Sequence, residues 1–382
     1  MGMTRRPTVL RSAVLIAAAA VMSACATSSS PGDGSAAPSS SAAPAPSVSG
    51  PPPGTSPSGA ASSASPADAF VGVPASEGAL NAISAADGTI VVGGFSGPVF
   101  TSTILAFDGS SWSVADVPDA PGQVAGIARI GDRWIAVGNG LPDVRSGFIW
   151  SSVDGRSWEP VQTIEDAALY DVIAGDGVVV AVGAGLDAEM NATAAAWSST
   201  DGTTWERATV DGPDRASMGS VATTPGGYIA TGDRRLGDTR PIWIAETGTS
   251  WTSLQNDLTD QLIPTDIVAW GDQYALVGAS GKSGDQHPFV ALSSDGQAWK
   301  RTNLSNQEGY ASAVGVANDR LVVAGVDYDR LTLWSLKDGA WNAGTNEPSG
   351  ASISALMWDA EIGLVAVGAR DGSHAAWVFG DQ

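Results

Sequence analysis

Two aspartates at matched places in a repeating pattern, Asp171 and Asp266, are among the side chains best suited to chemistry in this chain. An arginine-rich loop, Asp233-Arg234-Arg235-Leu236-Gly237-Asp238-Thr239-Arg240, is the other candidate. Carboxylates at a channel mouth can orient a ligand or a cation, and guanidinium groups grip a carboxylate through two parallel hydrogen bonds. Arg145 and Arg370 fall in comparable loops, so Arg145, Arg240 and Arg370 could approach one acidic group from three sides. The structural alternative is that the aspartates cap turns and the arginines neutralise neighbours such as Asp187, Glu189 and Asp285. The chain has only two histidines, His287 and His374, so metal or acid–base chemistry would fall mainly to carboxylates. No Ser-His-Asp order, phosphate loop or metal-ligand spacing appears, and no catalytic residue, metal or cofactor is expected.

Charge narrows the partners. Asp and Glu outnumber Lys and Arg by 40 to 19, for a net charge of −21. Such a surface repels nucleic acid and does not clamp anionic headgroups, so no nucleic-acid role is expected. A protein or a glycan remains.

Residues 1–24 read as an export signal. Arg5, Arg6 and Arg11 precede a short apolar run, Ser12 to Met22, too brief to span a bilayer. The run ends in Met22-Ser23-Ala24-Cys25, which resembles the lipobox of bacterial lipoproteins. That resemblance implies cleavage before Cys25 and acylation of it, hence a membrane-anchored protein on the extracytoplasmic face. Two acyl chains make such an anchor stable. From Cys25 to residue 66 the chain is almost all Ser, Ala, Pro and Gly with the single charge Asp33, and is expected to be a disordered stalk. As a coil its ends would lie on the order of 35 Å apart.

What must position the candidate side chains is a repeat covering residues 67–382. Ser199-Thr200-Asp201-Gly202-Thr203-Thr204-Trp205 recurs around Asp154 and Asp295, more loosely around Asp108, and one residue shorter at Asp338-Gly339-Ala340-Trp341. Each sits between short apolar runs and reads as a hairpin turn, the Asp accepting backbone N–H groups. A glycine closing the second strand of each unit recurs at 94, 138, 183, 232, 278, 325 and 368. Seven units of four short strands, with a period in the forties, specify an all-β, seven-bladed propeller. Phe70-Val71-Gly72-Val73-Pro74 is read as the strand that completes the last blade and closes the ring. A monomer is expected. A tryptophan column at Trp150, Trp197, Trp243, Trp334 and Trp377 reads as packing between sheets.

The Ser-x-Asp-Gly-x-x-Trp copies resemble the Asp-box (BNR-repeat) propellers, which include sialidases, sortilin-type receptors and photosystem II assembly propellers. The box specifies a fold and says little about function. Sialidases use three arginines, a Tyr–Glu pair and an Asp, usually on six blades with an early Arg-Ile-Pro. This chain has seven units and no Arg-Ile-Pro. The expectation is therefore a non-catalytic binding or scaffolding module, displaying a loop-lined face to a protein or glycan of the cell envelope. A sialidase-like glycosidase and an assembly factor for an envelope complex are the alternatives. Asp171 and Asp266 are placed at the channel mouth.

Overall fold

Short apolar runs broken by Asp-Gly turns leave the chain little choice but antiparallel hairpins. In the third blade Ala167–Gly175 turns through Asp176 and Gly177, at φ 51° and 77°, into Val178–Leu186. Positive φ at both turn residues matches the natural twist of paired strands, and glycine meets it without strain. The structure, a computed structural model, describes residues 66–140, 146–186, 191–234, 240–259, 261–282, 284–347 and 350–379. Cys25, the signal segment and the stalk up to residue 65 lie outside them.

Seven antiparallel sheets form the blades, with strands lettered a to d in chain order. Strands a are Gly78–Ala86, Gln123–Ile130, Ala167–Gly175, Ala216–Thr224, Leu262–Trp270, Gly309–Ala317 and Ala351–Asp359. Each adjoins the next, and the last adjoins the first, so together they wall the channel of a closed ring. Seven apolar clusters fill the gaps, one between each pair of neighbouring blades. The tryptophan column lies in these gaps, Trp243 and Trp334 being at most 1% exposed, which makes it packing.

The c–d turns explain a second set of tryptophans. Asp154 accepts the N–H groups of Arg156 and Ser157 at 2.8 Å, and Ser152 Oγ accepts that of Gly155 at 2.9 Å. Trp158 then donates its indole N–H to Gly155 at 3.1 Å. Asp201 and Asp295 repeat the arrangement. Hydrogen bonds from Ser110 and Ser111 hold Asp108 at about 2, well below the usual carboxylate range. The shorter copy closes differently, correcting the expectation that Asp338 caps its turn in the same way. Asp338 and Gly339 form a two-residue turn at φ 52° and 77°, with Lys337 paired to Ala340. Losing one residue changes the turn class.

The chain leaving strand d crosses to the next blade rather than to its own top. Asp116 bonds to the backbone of Arg156 and Trp158, and Thr209–Val210 pairs in parallel with Ser250–Trp251. Each crossing clasps two sheets at their outer rims.

Ring closure departs from expectation. Phe70–Pro74 is not a strand: Pro66–Val71 is a short helix, and the last blade pairs three strands among the described residues. Ala67, Asp68 and Ala69 favour a helical turn and Pro66 suits its first position, while Pro74 has no N–H for a ladder. The segment still closes the ring. Phe70 is fully buried between the last and first blades, against Phe107 and Trp112, and its carbonyl accepts the Trp112 indole N–H at 2.9 Å. Strand pairing shifts to a single bridge, Glu77 with Ser373.

His374 fastens the same seam. Its N–H donates to Ser76 O, and Nε2 lies 2.9 Å from Phe95 O. His374 is 6% exposed, its Nδ1 has no partner among the described residues, and burial lowers its pKa below 6.5. A depressed histidine stabilises the fold above the unfolded pKa, and that stability is lost as pH falls through the folded one. Denaturant unfolding at pH 7.5 and 5 is therefore expected to show an acid loss that His374→Gln reduces. An unchanged loss in the variant would place the acid sensitivity elsewhere.

Candidate functional site in the channel wall

Every strand a carries a β-bulge at the same place. The register skips Asn81, Ala125, Tyr170, Gly219, Thr265, Ser312 and Ser354 in turn. A bulge adds one residue to one strand and re-aims its neighbours. It also pushes a carbonyl of strand a against strand b. A Cβ on the glycine there would lie 1.8–2.1 Å from that oxygen in all seven blades. This is the physical origin of the glycine column.

The residues following the bulges are Ala82, Gly126, Asp171, Ser220, Asp266, Ala313 and Ala355, so the polar ones occupy three consecutive blades. Asp171 accepts Val172 N–H at 2.8 Å and, from the next blade, Val221 N–H at 2.9 Å. Asp266 repeats this with Ile267 at 2.8 Å and Val314 at 2.9 Å. Between them Ser220 Oγ donates to Asp266 at 2.9 Å and lies 3.3 Å from Asp171. The bulge residues add further links: Asn81 to Val124 O, Thr265 to Ala311 O and Ser312 to Ile353 O.

Burial raises Asp171 to about 7, with the Asp266 charge adding to it, and raises Asp266 to about 6. One hydroxyl proton serves two carboxylates, so a proton retained on Asp171 completes the chain from Asp171 through Ser220 to Asp266. The arrangement joins four blades, the third to the sixth. Both aspartates occupy matching positions, as the repeat implies, but at mid-strand rather than the channel mouth. Their oxygens are taken by backbone donors of the neighbouring blade.

Ser220 was not among the sequence candidates. Aligning the units on the glycine column would have exposed it, since Asp171, Ser220 and Asp266 each precede their column glycine by twelve residues.

Among the described residues, Arg240 and Arg370 do not come together. Arg240 Nε donates to Leu262 O, while Asn256 holds the Arg240 carbonyl at 2.9 Å, fastening a b–c loop to the start of the next blade. Arg370 lies over the Trp377 ring at 5.4 Å, three blades away. Arg145 and Arg235 lie outside the described residues, as does the side chain of Arg234. Among the described residues no group of three His, Cys, Asp or Glu could hold a metal ion.

The sequence matches no protein-family model and none of the curated proteins compared with it. Solved structures do match. One, described as YCF48 bound to D1 peptide, aligns with a TM-score of 0.56 at 15% identity, covering 80% of this chain and 95% of that one. Another, Kuenenia stuttgartiensis hydrazine synthase, gives 0.59 at 11% identity, over 80% and 97%. At these identities the likeness is one of fold, and the fold is a seven-bladed β-propeller.

Proposed function

We propose that this is an Asp-box propeller anchored through acylated Cys25 on the extracytoplasmic face of a membrane, where it binds a protein segment with its loop-lined end. Antiparallel strands put the b–c and d–a connections at one end of the ring, and the observation that carries the reading is there. Tyr328, at the tip of the b–c hairpin of the sixth blade, is 71% exposed and sits at φ 62°. Its N–H bonds to Glu308 O at 2.6 Å, and the adjoining Asp327 accepts Ser305 Oγ at 2.6 Å. A strained, pinned aromatic facing solvent suits display to a partner, since exposed Tyr anchors are frequent binding hot spots. The ring bound to the D1 peptide supports a peptide-like ligand. The channel carboxylates, committed to neighbouring blades, support a scaffold more than a centre of bond-breaking.

The test is crosslinking capture from envelope membranes by the full chain, run beside a glycan array. Tyr328→Gly is expected to weaken capture at least tenfold, about 1.4 kcal/mol, with unchanged or higher thermal stability because glycine relieves the left-handed backbone. Capture that survives Tyr328→Gly, or array binding in its place, would overturn the loop-end reading. Cys25→Ser is expected to abolish palmitate labelling and release the chain from membranes.

A further inference from the structure

At the opposite end of the ring, among the a–b and c–d turns, a groove of about 670 Å³ opens between blades 4 and 5. Its apolar wall includes Ile244 and Tyr274, and Ser250 and Thr252 contribute hydroxyls. Ile244 is 39% exposed and paired between Ile229 and Thr252, so these three share the face turned to blade 5. The residue in this slot is serine in three other blades, Ser151, Ser198 and Ser335, and apolar in the remaining three, Leu105, Leu292 and Val378, but none of these six is exposed. An exposed isoleucine is thus a departure of this blade. Blade 4 departs twice more. Thr247 stands where Asp154, Asp201 and Asp295 cap their turns, and the extra strand Thr209–Val210 covers part of its outer edge.

The charged residues lining the groove are both acids, Glu246 from blade 4 and Asp272 from blade 5. Both are exposed, and no cation accompanies either among the described residues. Apolar walls between two carboxylates match a side chain with a hydrocarbon stem and a cationic head, which lays its methylenes on apolar surface and keeps the charge outside. The chain's net charge of −21 draws such a group in. We propose that this groove docks a Lys- or Arg-bearing extended segment of a partner protein, independently of the loop end.

The test titrates the full chain into a fluorescent capped peptide carrying Leu-Arg-Leu, with Leu-Glu-Leu as the matched control, reading anisotropy at physiological salt. Saturable one-to-one binding of the arginine peptide is expected. Glu246→Gln with Asp272→Asn should weaken it at least tenfold, as should Ile244→Ser, the residue three other blades carry. Asp119→Asn, an exposed acid in the connection from blade 1 to blade 2, and Tyr328→Gly should leave it unchanged. The proposal fails if binding does not saturate, if the groove substitutions cost no more than Asp119→Asn, or if Leu-Glu-Leu binds equally well. If Ile244→Ser does not fold, the paired-acid variant decides.

Discussion

Gly232→Ala is expected to destabilise the ring by about 3 kcal/mol or more, enough to abolish a cooperative melt in a marginal fold. The new methyl would sit 1.8 Å from Ser217 O, a backbone atom with nowhere to go unless the bulge flattens. Flattening would shift Ser220, and with it the link between Asp171 and Asp266. The contrast is Gly109→Ala. Its backbone lies at φ 87° with no atom near the added methyl, so only the left-handed conformation is penalised, at about 1–2 kcal/mol. Denaturant unfolding of both variants checks the ranking. Equal losses would mean that the bulge yields easily and the glycine column has another cause.

Asp266→Ala carries the second large effect. It strips the acceptor from Ile267 N–H, Val314 N–H and the Ser220 hydroxyl. Each donor left unpaired inside costs about 1–3 kcal/mol, and partial access to channel water offsets some of this, leaving about 3 kcal/mol in all. The pH dependence runs opposite to that of His374. Acids whose folded pKa is raised give stability that is complete below the unfolded value of 3.8 and lost as pH rises through about 6 to 7. The pair should therefore favour mildly acidic conditions, with stability falling between pH 4 and 8. The clean measurement is made with His374→Gln in place, which removes the opposing slope. Stability should then fall from pH 5 to pH 8, and adding Asp266→Ala should flatten the fall. A slope that persists unchanged would show that the aspartates ionise normally.

The ring was legible in the sequence because its repeated features are enforced locally. A bulge demands a glycine opposite, and a Ser-x-Asp-Gly turn delivers the next tryptophan to an inter-blade gap, so both recur at readable intervals. Closure was half legible. The place of the N-terminal segment was right, but five residues with two valines and a phenylalanine suit a strand and a helical turn alike, and Pro66 with Ala67-Asp68-Ala69 tipped the balance. Asp171 and Asp266 were singled out for their matched positions. Their depth was not legible, because a bulge lies in the pairing between strands and leaves no residue type of its own. Arg240 and Arg370 look alike in sequence, yet one holds a carbonyl and the other stacks on an indole. Composition records charge and not partners.

The helix at Pro66–Val71 has a mechanical consequence. Six junctions of the ring are joined by continuous chain; the seventh is held without a covalent link, by an apolar cluster that includes Phe70, by His374 and by the bridge of Glu77 with Ser373. Any tension arriving along residues upstream of Pro66 enters the molecule through that same helix. Load would thus be concentrated on the one joint lacking a covalent link, and that joint would give way before any blade tears from its neighbour.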